Sequence, residues 1–428
     1  MNEKNVKTNS RKSFWSVVAA LAGVPLVMVL GNSMIIPVLP DIRNALNLNQ
    51  VEVSLIITLF SLPAGITIPV AGFLSDRYGR KNVIIPALIA YGTGGVIAAL
   101  APVFLANKAF PLILAGRVVQ GIGAAGTAPI AMTLCGDIFQ GKERSRSLGA
   151  IESSNGLGKV ISPVLGSAVG LISWYAAFAF FPAVVIPVII AVWLIVREPE
   201  SVNRQQKIKE YFKSFKETVK NRAGLLLASY LSGAAVLMIL FGVLFFLSEY
   251  LEQRFGLDGI KKGIVLSVPV LFMSITSFIT GFIIKKKKTL MKLTTVAGLA
   301  TITIPLSLLP FTSSQVAYLI AFSLTGVGAG MVLPCLNMLV TSAAPTEERG
   351  LVTSLYGSVR FFGVAFGPPA CGFLMTRSTG LLFWSSAALS LLACLFVLML
   401  LKTQGRTEEQ KKGNLFIFSP AVARKPLK

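Results

Sequence analysis

The sequence predicts an all-α membrane protein of twelve transmembrane helices, arranged as two pseudo-symmetric six-helix bundles. Three observations lead there. Of 428 residues, 54% are apolar and only 14% charged, whereas a soluble domain carries roughly 25% charged residues. Apolar stretches of about 20 residues, long enough to cross a bilayer core, recur along the chain. A long segment of the first half also repeats in the second at one constant offset.

The elements follow in order. A basic start (Lys4, Lys7, Arg11, Lys12) leads into the first span, 16–39, which is too long for a signal-peptide core and has no small-residue cleavage pattern after it. The next spans are 51–73, 83–103, 110–134, 147–172 and 176–196, and these six form an N-terminal bundle over residues 1–196. Residues 197–222 are a polar, basic linker. Within it Ile208, Tyr211, Phe212, Phe215 and Val219 recur at helical spacing between lysines, which describes either an amphipathic helix on the inner leaflet or a solvated basic connector. Spans then resume at 223–248, 263–284, 291–311, 316–342, 351–374 and 381–401, a second bundle over 223–401, and a polar basic tail fills 402–428.

Charge orients the chain. Most of the 40 Lys and Arg residues fall in the tails and in the loops on their side, including Arg77, Arg80, Lys81 and Lys285 to Lys288. Basic loops stay in the cytoplasm, so both termini are expected there. The net charge of +22 is spread over many short segments instead of one basic domain, which argues against a nucleic-acid partner. Cys135, Cys335, Cys371 and Cys394 lie in apolar segments without metal-ligand spacing, and no histidine is present, so neither a metal nor a cofactor is expected. Proton chemistry falls to carboxylates or lysine.

The repeat is specific. Gly121, Gly123, Ala124 and Pro129 match Gly326, Gly328, Ala329 and Pro334; Glu143 and Arg144 match Glu348 and Arg349; Gly158 and Pro163 match Gly363 and Pro368. Shared Glu, Arg and Pro do not arise from apolar composition alone. Both halves start on the same side, so they are parallel repeats, with a solute site expected between them near the midplane.

Three motifs stand out. After the second span comes Gly72 Phe73 Leu74 Ser75 Asp76 Arg77 Tyr78 Gly79 Arg80 Lys81, where Gly79 allows a tight turn and Asp76 can sit against a helix N-terminus. The fourth span holds Arg117, Gln120, Gly121, Gly123, Ala124 and Ala125. The fifth holds Gly158, Ser162, Pro163, Gly166 and Ser167. The first of these resembles the signature loop of the major facilitator superfamily. The second resembles the motif of its proton-driven members, and the third the antiporter motif, with Ser162 and Ser167 in place of two glycines. The second half departs from the first motif, since Gly281 is followed by Lys285 to Lys288 without an Asp.

The resemblance implies a secondary transporter, not an enzyme: a monomer in the cell membrane, exporting drugs or other small amphipathic compounds in exchange for protons. The other reading is a transporter specific for an anionic or polar metabolite, which Arg117, Lys159 and Arg360 would suit. Gly121, Gly123 and Gly126 spell a dinucleotide-binding pattern, but inside a membrane span and without a preceding strand. No phosphate-cradling loop occurs, which argues against transport driven by ATP.

Candidate pathway residues come from charge inside spans. Arg117 either takes part in transport or braces polar groups on the first helix such as Asn32. Glu152, Asn155, Lys159 and Ser162 share one face of the fifth span at 100° per residue. Lys159 is too far from either end to snorkel. This face either lines a central cavity, with Lys159 touching the solute and Glu152 titrating, or forms a structural ion pair. Glu152 reads as the one clear carboxylate within a span. Arg360 in the eleventh span is a further cavity candidate, and Asp41 reads as interfacial.

Overall fold

In the computed structural model, residues 3–198, 208–284, 287–312, 314–343 and 349–401 are described. They form fourteen α-helices: α1 (Glu3–Ser33), α2 (Leu39–Leu46), α3 (Gln50–Tyr78), α4 (Arg80–Leu105), α5 (Phe110–Ala125), α6 (Ala128–Ile138), α7 (Gly141–Gly170), α8 (Ala176–Ile195), α9 (Ile208–Phe255), α10 (Gly259–Ile283), α11 (Lys288–Leu308), α12 (Gln315–Ala343), α13 (Arg349–Arg377) and α14 (Thr379–Leu400). Among the described residues there is no strand.

Two spans are each built from two helices. α1 passes through a 3-10 turn, Ile36–Val38, into α2, where Pro37 and Pro40 remove backbone donors. α5 breaks at Gly126 and Thr127 before Pro129 opens α6. The repeat counterpart, Pro334, lies inside the unbroken α12. Eleven stretches are long and apolar enough to cross a membrane. The remaining span is α7, 30 residues long but carrying Glu152, Asn155 and Lys159, so its polar face rather than its length sets it apart.

The backbone of the linker is helical from Ile208 and bends at Arg222 (φ −123°, ψ 20°), where the membrane-spanning part of α9 begins. The side chains of 208–221, on which the amphipathic reading depends, lie outside the described residues, as do the tail and Lys285.

The helices alternate between two ends. One, the basic end, carries the turns at Gly79 and Gln140; the far end carries those at Asn47 and Gly256. Exposed apolar side chains such as Ile66, Phe104, Trp193, Phe278 and Phe282 cover the outside. That is the surface a lipid-facing bundle presents. Within lipid, helix association depends on close packing of small residues, and the repeat packs alike in both halves. A side chain at Gly121 would strike the carbonyl of Phe60 on α3; one at Gly326 would strike that of Pro269 on α10. The halves meet along two seams, α3 with α13 and α7 with α10.

Candidate functional site

Both seams are tight from the far end to mid-span. On the first, Thr58 Oγ1 donates to the Ala365 carbonyl at 2.7 Å and Ser358 Oγ donates to the Gly65 carbonyl. On the second, Ser267 Oγ donates to the Val160 carbonyl at 2.8 Å, and Gly263 lets α10 approach Pro163 closely. Beyond them the far end is sealed by polar contacts. Ser248 Oγ donates to the Ile36 carbonyl at 2.9 Å, Arg43 pairs with Glu249, and Asn44 Nδ2 reaches Glu252 Oε1 at 3.4 Å. Glu252 also holds Lys262 at 2.7 Å, and Gln253 holds Glu249 at 2.5 Å. A shallow cleft of about 560 Å³, lined by Arg43, Asn44, Gln50 and Thr376, opens outside this seal.

Toward the basic end the seams part. Among the described residues, Ser358 to Gly65 is the cross-seam hydrogen bond nearest the basic end. Side chains built at Gly149 and Gly156 on α7, and at Gly350 on α13, would meet open space. The halves are therefore separated by a gap that opens at the basic end.

The polar face of α7 borders this gap. Glu152 is exposed, Asn155 and Lys159 are half-buried, and Ser162 is buried. Asn155 Nδ2 donates to Glu152 Oε1 at 3.5 Å, while Asn155 Oδ1 and Ser162 Oγ are buried without a partner. Lys159 is within electrostatic reach of Glu152 on its own helix and of Arg360 on α13. Arg360 stands over the Tyr356 ring at 5.4 Å, and both its Nε and the Tyr356 hydroxyl are buried without a partner. Among the described residues no ion pair within 4 Å joins Lys159 to Glu152.

Arg117 occupies a different setting. It is fully buried, and its guanidinium donates to the Ile56 carbonyl (2.9 Å), to Gln120 Oε1 (2.6 Å) and to the Gly31 carbonyl (2.8 Å), over the Phe60 ring at 4.4 Å. It thus ties α5 to α1 and α3 within the first half. Asn32 is not among its partners; its Oδ1 accepts from Ser61 at 3.3 Å.

The residues of the signature loop and of the fifth-span motif make most of their contacts close to their own half. Asp76 pairs with Arg80 at 3.0 Å, and Arg80 pairs with Asp137 on α6 at 2.5 Å. Gly79 has φ +97°, and Glu198, past α8, accepts from the Arg80 and Lys81 amides at 2.5 and 3.0 Å. Arg77 is exposed, stacked on Tyr78, and Gly72 has free space beside it. Gly158, Pro163 and Gly166 are buried, and the two glycines admit Leu26 of α1 and the carbonyl of Met34 just past its end.

The structure adds residues that the sequence reading missed. A seventh span of 223–248 stops one residue short of Glu249; α9 continues to Phe255 and Glu249 is 3% exposed. The signal was a run of Glu249, Glu252 and Gln253 at helical spacing, hidden by ending the span where the apolar run ended. Asp137, Glu198 and Tyr356 carried no motif. Asp41 is exposed on α2.

The family model of the Major Facilitator Superfamily matches residues 21–368. The chain is 40% identical over 400 residues to the bacillibactin exporter of Bacillus subtilis (strain 168), covering 93% of this chain and 99% of that protein. It is 25% identical over 390 residues to the multidrug efflux protein YfmO of the same organism, covering 89% and 90%. The crystal structure of a D-xylose-proton symporter superposes with a TM-score of 0.72 at 12% identity, covering 90% of this chain and 97% of that one. That last likeness concerns the fold alone.

Proposed function

This chain belongs to the Major Facilitator Superfamily, and we propose that it is a secondary active exporter that carries a small molecule out of the cytoplasm in exchange for protons. The observation that carries this reading is the gap between the halves, open at the basic end and bordered by Glu152, Asn155 and Lys159. Basic loops lie in the cytoplasm, so this is the state in which an exporter loads. The similarity to an exporter over nearly the full length supports the direction. Glu152, exposed on the gap and within electrostatic reach of Lys159, is the carboxylate placed to take up and release the coupled proton. The protein would act as a monomer in the cell membrane, with both termini in the cytoplasm and the halves 1–196 and 223–401 rocking about the site.

The substrate is either a range of drugs and small amphipathic compounds, as YfmO's name suggests, or one polar metabolite. The cations in the gap favour the second. Uptake into inside-out vesicles tests the reading, with bacillibactin and an uncharged and a cationic drug as probes and an acid lumen as driving force. Accumulation that collapses with an uncoupler supports proton-driven export. No accumulation of any probe removes it and leaves the fold.

A further inference from the structure

We propose that Lys159 on α7 and Arg360 on α13 form a two-pronged anion site spanning the two halves, and that the exported molecule carries a carboxylate, phosphate or comparable anionic group. This rests on the export reading above and narrows its substrate.

The first argument is the balance of charge. On the two helix faces bordering the gap stand two cations and one carboxylate, Glu152, which is exposed and already holds Asn155. Among the described residues neither Lys159 nor Arg360 has an ion-pair partner within 4 Å. Ionisable groups at membrane depth ordinarily pair or line a solute path, and these two lie within electrostatic reach of each other.

The second argument is unmet hydrogen bonding. Buried polar atoms usually have partners, yet Arg360 Nε and, on the polar face of α7, Ser162 Oγ have none. Both can donate, as an anion's oxygens require. The third argument is the departure from the repeat. At the offset that matches Gly158 with Gly363, the counterpart of Arg360 is Asn155 and that of Lys159 is Val364. Each half supplies one cation at a non-equivalent position, so the pair is not inherited from packing that the halves share.

The arrangement also links binding to movement. Two like charges on opposite sides of the gap oppose its closure at the basic end. An anion held by both removes that repulsion and bridges the halves, so loading favours the closed state from which release to the outside follows.

The test uses the purified full-length protein and two dyes on one ring scaffold, anionic carboxyfluorescein and cationic rhodamine 123, with binding and vesicle uptake measured separately. Carboxyfluorescein should bind the wild-type protein at least about tenfold more tightly, and Lys159→Gln or Arg360→Gln should each weaken it about ten- to a hundredfold, the effect of losing a charge-assisted contact. Lys159→Arg should recover most of that affinity. The wild-type preference needs no variant, so a misfolded glutamine variant leaves the test intact. Equal binding of both dyes, or tighter binding of rhodamine 123, overturns the anion site even if bacillibactin is accumulated. Selective anion binding without uptake of either dye or of bacillibactin supports the site and removes the export reading instead.

Discussion

Arg43 on α2 pairs with Glu249 on α9 and so joins the two halves at the end opposite the basic loops. The Glu249 side chain is 4% exposed and that of Arg43 18%. Removing Arg43 strands the Glu249 carboxylate in a sealed region, which is costly, whereas the pair itself adds modestly to stability. The contact therefore acts as a latch on one conformation, and it can exist only while the far end is closed.

Glu249→Gln should release that latch. A charge-assisted bond contributes about 1.5–3 kcal/mol, so the population open at the far end should rise about tenfold or more. Spin labels at Ala45 and Arg254, both exposed, would report it as a longer distance. The native cysteines are all buried, which favours selective labelling of the introduced pair. An unchanged distance distribution would show that the seams, not the latch, hold the far end shut.

Glu152→Gln should separate binding from coupling. The variant should still bind and exchange substrate across the membrane, but an imposed proton gradient should no longer drive accumulation. Counterflow and gradient-driven uptake in the same vesicles distinguish the two. Retained gradient-driven uptake would move the proton to another carboxylate, with Glu249 the next to neutralise.

Arg117→Ala should act on stability first. It leaves the Gly31 and Ile56 carbonyls and Gln120 without their donor in a buried setting, a loss of roughly 3 kcal/mol or more given the usual strength of bonds to charged groups. A lowered unfolding temperature in detergent, with transport per folded molecule largely kept, marks Arg117 as a brace. Normal stability with transport abolished would return it to the transport pathway.

Gly79→Ala tests the signature loop. At φ +97° an L side chain is strained, and its Cβ would lie 3.1 Å from the Glu198 carboxylate that caps the turn. A cost of about 1–2 kcal/mol is expected, seen as a lower unfolding temperature. A variant as stable as the wild type would mean that the turn relaxes without loss.

The fold was legible because lipid imposes a simple code, long apolar runs between polar turns. α7 was readable despite its polar face, since its Gly158 and Pro163 fall in register with Gly363 and Pro368. The candidate site was legible only in part. Lys159 and Arg360 announced themselves as charges deep within spans, but Tyr356, an aromatic in an apolar run, did not. The latch could not be read at all: Arg43 and Glu249 lie far apart in sequence, near span ends where charges are ordinary. Nor could the setting of Arg117, because two of its three partners are backbone carbonyls, which every residue possesses.

Proton movement caused by substrate is the most direct measurement. Inside-out vesicles carrying the full-length protein are loaded with an acid lumen and a pH-sensitive dye, and bacillibactin or carboxyfluorescein is added outside. Proton-coupled export predicts that the lumen loses acid on addition of substrate, and that Glu152→Gln vesicles do not respond. A lumen whose pH is unchanged while the same compound accumulates would contradict proton exchange as the driving reaction.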